Sequence, residues 1–122
     1  MGLGSFELGQ EVAQEDWLEL TNGVVVKSAL ELLEALKDMD SETFSHHVSL
    51  NHNDFSDWIE ENYHDEVLGR QILKAAKRGK IIRVLERALL REMKEFVRER
   101  KRKNKIRPLK RKKEILREIA DG

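Results

Sequence analysis

The chain has no cysteine, so neither a disulfide framework nor a thiolate metal site can form. It also lacks long apolar runs: one of the longest is Val24-Val25-Val26, and nothing of the kind can span a bilayer. The first residues have no basic start and no apolar centre, and Phe6 stands where a myristoylation signal needs Ser or Thr, so neither a signal peptide nor a lipid anchor is expected there. A cytoplasmic location is therefore the expectation. The sequence motifs of common enzymes are missing as well. There is no Gly-rich phosphate loop, no G-x-S-x-G and no H-E-x-x-H, and with no thiol nucleophile the reading is that of a non-enzyme without cofactor.

Basic residues are scarce in one half and acidic residues in the other. Residues 1–70 hold 3 Lys/Arg against 16 Asp/Glu, a formal charge of −13. Residues 71–122 hold 20 Lys/Arg against 7 Asp/Glu, a formal charge of +13. The net charge of zero therefore conceals a strongly dipolar chain, and such asymmetry points to a polyanionic partner. Glu, Lys and Arg are abundant and Gln scarce, a balance found in hyperthermophile proteins.

At 122 residues one small domain with appendages is expected. The fold class is mainly α: a small helical domain with one short β-hairpin and an extended basic C-terminal helical arm. Its parts are an N-terminal arm at 1–16, an acidic-to-mixed helical domain at 17–97 and a basic helical arm at 98–122. The arm at 1–16 is Gly-containing and aperiodic, with a short helical stretch from Phe6 to Gln14.

Trp17-Leu18-Glu19-Leu20 and Val24-Val25-Val26-Lys27 flank Thr21-Asn22-Gly23, and Asn-Gly between apolar runs signals a hairpin with a type I′ turn. Ser28 and Glu31 form a capping box for a helix whose apolar side is Leu30, Leu33, Ala35 and Leu36 and which ends near Met39. Ser41 caps a short helix with Phe44 inward. Asn53 or Asp54 caps a third, with Phe55, Trp58, Ile59 and Tyr63 at helical spacing. Asp65 opens a fourth through Val67, Leu68, Ile72, Leu73 and Ala76, closed by Gly79. Ile81, Val84, Leu85, Ala88, Leu89, Met93, Phe96 and Val97 form the stripe of the longest helix. The single proline, Pro108, breaks or kinks the basic segment, and a thin last helix runs from about Leu109 to Ala120.

Residues 20–73 carry Leu-Thr-Asn-Gly, then Lys27-Ser28 and a Leu-rich helix, then Phe44-Ser45-His46-His47-Val48, Asn53-Asp54-Phe55-Ser56-Asp57-Trp58-Ile59, Asp65-Glu66 and Leu68. In the order and spacing of these pieces the block resembles a small helical domain of unknown function found in archaea and some bacteria. The resemblance implies a compact helical domain and no activity.

Within that block His46, His47, His52 and His64 with Asp54 are candidate metal ligands, of types that suit zinc or iron. His46 and His47 diverge on a helix and no His-x₃-His pair exists, so helix capping and a polar seam are the stronger reading. Asp54 and Asp57 read as a cap and a first-turn anion, not an acid/base pair. Phe44, Phe55, Trp58 and Tyr63 read as core.

Residues 98–113 are the densest in charge: 11 of 16 are Lys or Arg, opposed only by Glu99. Arg98, Arg100, Lys101, Arg102, Lys103, Lys105, Arg107, Lys110, Arg111, Lys112 and Lys113 are the expected nucleic-acid contacts. With no aromatic among them, contact is to phosphate and shape, not to bases. The first reading is an RNA-binding accessory protein on structured RNA, rRNA with ribosomal proteins, and the build is similar in architecture to small archaeal ribosome-associated or hibernation factors acting in translation regulation. A homodimer is expected; no membrane or small-molecule partner is. The alternatives are a DNA-binding or nucleoid-associated protein, and a structural protein that self-assembles through its acidic and basic halves.

Overall fold

The computed structural model describes residues 6–104. The protein is mainly helical with one two-stranded antiparallel sheet. Phe6–Glu92 pack as one compact unit, and Met93–Asn104 belong to a second.

Two 3₁₀ turns, Glu7–Gly9 and Gln14–Asp16, precede the hairpin. They belong to the domain, which corrects the expectation of an arm over residues 6–16. Leu8 is buried in the core. Its N–H donates to Glu92 Oε1 at 2.8 Å, Trp58 Nε1 donates to Asp16 O at 2.7 Å and Val12 N donates to Lys27 O at 2.8 Å. A stretch without helical or strand period is held by long-range hydrogen bonds, which leave no trace in local pattern.

Strands β1 (Leu18–Glu19) and β2 (Val25–Val26) pair with Leu18 opposite Val26 and Glu19 opposite Val25. The turn differs from type I′. Gly23 N–H donates to Leu20 O, Leu20 N–H to Val24 O, and positive φ falls on Gly23 alone (φ 88°). This is a three-residue loop ending in a left-handed glycine, which spares Asn22 a strained conformation. Asn22 Oδ1 instead accepts from Val24 N–H.

Helix α1 (Ala29–Asp38) begins at Ser28, whose Oγ accepts from Glu31 N–H at 3.1 Å. Glu31 Oε1 reaches back one residue further than in the usual box and accepts from Lys27 N–H. The helix buries Ala29, Leu32, Leu33 and Leu36 and packs Ala35 against the core; of the expected apolar side only Leu30 is exposed. The set 29, 32, 33, 36 follows the 3.6-residue period, and Leu30 lies off it. Arg78 Nη1 donates to Leu36 O at 2.7 Å and Lys37 O at 3.3 Å, a cation on the carbonyl end of α1 where the macrodipole favours it.

Helix α2 (Ser41–His47) is capped by Asp40, not Ser41: Asp40 Oδ1 accepts from Thr43 N–H at 2.7 Å. Backbone and side-chain bonds from Thr43 hold its carboxyl below the ordinary value. Helix α3 (Asp54–Tyr63) is capped by Asn53, whose Oδ1 accepts from both Phe55 and Ser56 N–H. It buries Phe55, Ser56, Trp58 and Ile59 and ends on a left-handed His64.

Helix α4 (Glu66–Ala75) is capped by Asp65 and buries Leu68, Gly69 and Ile72, leaving Val67 and Leu73 exposed. It packs on α3. Gly69 is needed there because a Cβ would run into the Glu60 side chain, and the Gly69 carbonyl accepts from Ser56 Oγ at 2.7 Å. The helix stops at Ala76 in a left-handed conformation (φ 63°), and Gly79 lies inside α5, so Gly79 does not close α4. A Cβ at this φ is costly, and Ala76→Gly is expected to stabilise the protein by about 0.5–1 kcal/mol in urea unfolding.

Helix α5 (Arg78–Asn104) spans 27 residues. Ile81, Leu85 and Leu89 are buried and complete the core with Val26, Leu36, Phe55, Ile59 and Ile72. The expected stripe ends at Leu89: Met93 and Val97 are exposed. Lys105, Arg107, Pro108 and the helix expected from Leu109 lie outside the described residues. Among the described residues no helix is long and apolar enough to cross a membrane.

Candidate nucleic-acid interface

Helices α4 and α5 bury one side each and turn cations outward on another. Along α5 the core positions Ile81, Leu85 and Leu89 recur every fourth residue, and so do Arg83, Arg87 and Arg91, with Lys80 three residues before them. At 3.6 residues per turn the two sets lie roughly 150° apart round the helix. On α4, Gln71 and Lys74 lie off the buried positions Leu68 and Ile72.

These residues meet across a cleft of about 480 Å³ lined by Gln71, Lys74, Ala75, Lys80, Arg83, Val84, Arg87 and Arg91. Five of the eight are cations and none is an acid. Ala75 and Val84 are half-buried and supply its apolar part; the six polar residues are exposed. Among the described residues, the ion pairs Lys37–Glu86 and Arg102–Glu99 and the His47–Asp54 contact involve none of the five cations. Like charges at i, i+4 disfavour a helix by about 0.2–0.5 kcal/mol each. Among the described residues no ion pair to a carboxylate offsets that repulsion, which leaves the cations of the cleft available to an anion.

This cleft is hidden in the sequence, where charge density singles out residues 98–113. Its cations are diluted by core residues, and only their helical phase, 80, 83, 87 and 91, marks them as one face.

Of the contacts expected from the sequence, Arg98, Arg100, Lys101 and Arg102 are on α5 and exposed. Arg100 lies 5.5 Å from the centre of the Phe96 ring, and Arg102 Nη1 is 3.6 Å from Glu99 Oε1. Lys103 is within α5. Lys105, Arg107, Lys110, Arg111, Lys112 and Lys113 lie outside the described residues.

The rings of His46 and His47 stand edge to face with their centres 5.2 Å apart, rather than diverging as expected. His47 is buried; its Nδ1 is 2.9 Å from Asp54 Oδ2, and its Nε2 accepts from Thr21 N–H at 3.1 Å. These bonds assign the neutral ring with its proton on Nδ1, joining the hairpin turn to the start of α3. His52 instead bonds Ser49 Oγ at 2.6 Å and the His46 carbonyl, which shapes the loop between α2 and α3. His64 is the left-handed cap of α3. Among the described residues no group of three or more His, Cys, Asp or Glu side chains is placed to hold a metal ion. Asp54 is engaged with His47, and Phe44, Phe55, Trp58 and Tyr63 all pack in or against the core.

No protein-family model, curated protein or solved structure matches the chain.

Proposed function

We propose that this protein is a non-catalytic, cytoplasmic RNA-binding protein that docks on a ribonucleoprotein, the ribosome foremost, through the cations of α5, those beyond it in the chain, and Lys74 of α4. The observation that carries this reading is the cleft of five cations with, among the described residues, no acid in its walls and no ion pair to any of them. A charge surplus that the fold leaves uncompensated is compensated by a polyanion, through phosphate contacts that release counterions. RNA in a ribonucleoprotein suits the rest of the chain better than bare DNA does. The half that carries −13 would be repelled by a naked duplex, whereas a particle surface also offers basic proteins to meet it. Regulation of translation of the hibernation type, and a homodimer, are the roles that fit such docking.

The test is sedimentation of the native protein from lysate through a sucrose gradient, with and without ribonuclease. Co-migration with ribosomal particles at low salt, abolished by ribonuclease or by about 0.5 M salt as phosphate contacts weaken, is the expected result. Protein that stays at the top of the gradient at low salt would overturn the ribosomal reading.

A further inference from the structure

We infer, resting on the RNA-binding reading above, that the α4–α5 cleft grips the sugar–phosphate backbone of one RNA strand. Arg83, Arg87 and Arg91 each meet one of three consecutive phosphates, and Gln71 on the α4 wall meets a ribose 2′-hydroxyl. Three observations lead there.

The first is spacing. Residues four apart on an α-helix rise by about 6 Å along its axis. The compact sugar pucker of RNA brings neighbouring phosphates of a strand to a similar separation, and the pucker of B-form deoxyribose spreads them further. Arg83, Arg87 and Arg91 line one cleft at that repeat. Each is a guanidinium, which takes phosphate oxygens two at a time, where an ammonium acts as a point charge.

The second is what the walls lack. No aromatic side chain lines the cleft, so bases have no stacking platform there. The cleft therefore takes backbone and leaves the bases outside, which makes the grip independent of base sequence. Val84 and Ala75 offer the apolar surface on which a ribose ring can lie.

The third is Gln71. Among the described residues it is the only neutral polar side chain in the lining, and it carries both a donor and an acceptor. A 2′-hydroxyl needs that pair, and it is the group by which a protein distinguishes RNA from DNA.

The experiment is a fluorescence-anisotropy titration of the full chain with a mixed-sequence 12-nucleotide RNA, and with the DNA of the same sequence, over a series of salt concentrations. Four variants are compared with the wild type: the triple Arg83→Gln/Arg87→Gln/Arg91→Gln, the corresponding triple to Lys, Gln71→Ala, and Arg98→Gln/Arg100→Gln/Arg102→Gln. All these positions are exposed, and circular dichroism checks that the fold is kept. Single-strand contacts contribute about 0.7 each to the log–log salt slope, so the first triple is expected to lower the slope by about 2 and weaken binding about tenfold or more near 0.1 M salt. The Lys triple keeps the slope, because it keeps the charges. Gln71→Ala brings the affinity for RNA down towards that for DNA.

Wild-type slope and affinity in the first triple, with loss only in the 98/100/102 triple, would overturn the cleft assignment and leave RNA binding standing. DNA held by the wild type as tightly as RNA would overturn the choice of RNA strand. A wild type that binds no RNA at all would remove the functional reading and this inference together.

Discussion

Phe55→Ala is expected to lower the free energy of unfolding by about 3–5 kcal/mol, a large share of what holds a small domain together. Phe55 is fully buried in the first turn of α3. Its ring lies 6.2 Å from that of Phe44 and 5.5 Å from that of His47, so it joins α2 to α3 from inside. Truncation removes the transfer free energy of the ring and leaves a cavity that the neighbours cannot close. Phe44 is held by its own helix, and His47 is held at both ring nitrogens by Asp54 and Thr21. Small domains have about 5–15 kcal/mol in total, so the variant should be partly unfolded at physiological temperature. Urea unfolding followed by circular dichroism measures the difference. A loss under about 1.5 kcal/mol, far below the range for a buried ring, would mean that the site collapses freely and that Phe55 is not the keystone of this packing.

Tyr63→Phe should cost about 1–3 kcal/mol, although it removes only one oxygen. That hydroxyl accepts from Ala29 N–H at 2.9 Å and donates to Gln10 O at 3.0 Å. Ala29 is fully buried at the first turn of α1, where backbone N–H groups have no partner within the helix. Without the phenol, its N–H is left in the core with no acceptor, and the 3₁₀ segment loses a tie to α1.

The same group makes stability depend on alkaline pH. Burial raises the Tyr63 pKa above its ordinary value, Glu92 and Glu31 add to the rise, and the Ala29 N–H opposes it. A pKa raised by folding means that the folded chain holds the proton more tightly. The contribution is therefore complete below about pH 10, the ordinary tyrosine value, and is lost as pH climbs through the folded value. Urea midpoints measured from about pH 8 to about pH 11, a range that brackets the ordinary tyrosine value, should fall more for the wild type than for Tyr63→Phe. Parallel curves would show that Tyr63 does not control the alkaline limb.

Much of this fold is legible from local spacing. Ser28 three residues before Glu31, Asn53 before an aromatic run and Asp65 before Leu68 are caps, and each cap is a bond between residues two to four apart. The hairpin is legible from Asn22-Gly23, though not its loop length, because the pairing that selects a three-residue loop is set by Leu20 and Val24 across the turn. Ala76 reads as helix because nothing local forbids it. Its left-handed conformation comes from the short connection that must start α5 at Arg78.

The candidate site is legible only in part. Arg98, Arg100, Lys101 and Arg102 are exposed on a helix, as their density implies, but the cleft draws on α4 as well, and a density count along one segment does not bring Lys74 next to Arg83.

Sequence by itself determined the separation of charge, the helical class, most of the caps and the absence of thiol chemistry. All of these depend on composition or on residues within about four positions of each other. Tertiary structure alone decided that Leu8 enters the core, that His47 is an anchor between Thr21 and Asp54, that Gly69 must have no side chain beside Glu60, and that cations of two helices line one cleft. Each of those comes from burying apolar surface shared by distant segments. That burial dictates which faces are left for solvent and for a partner.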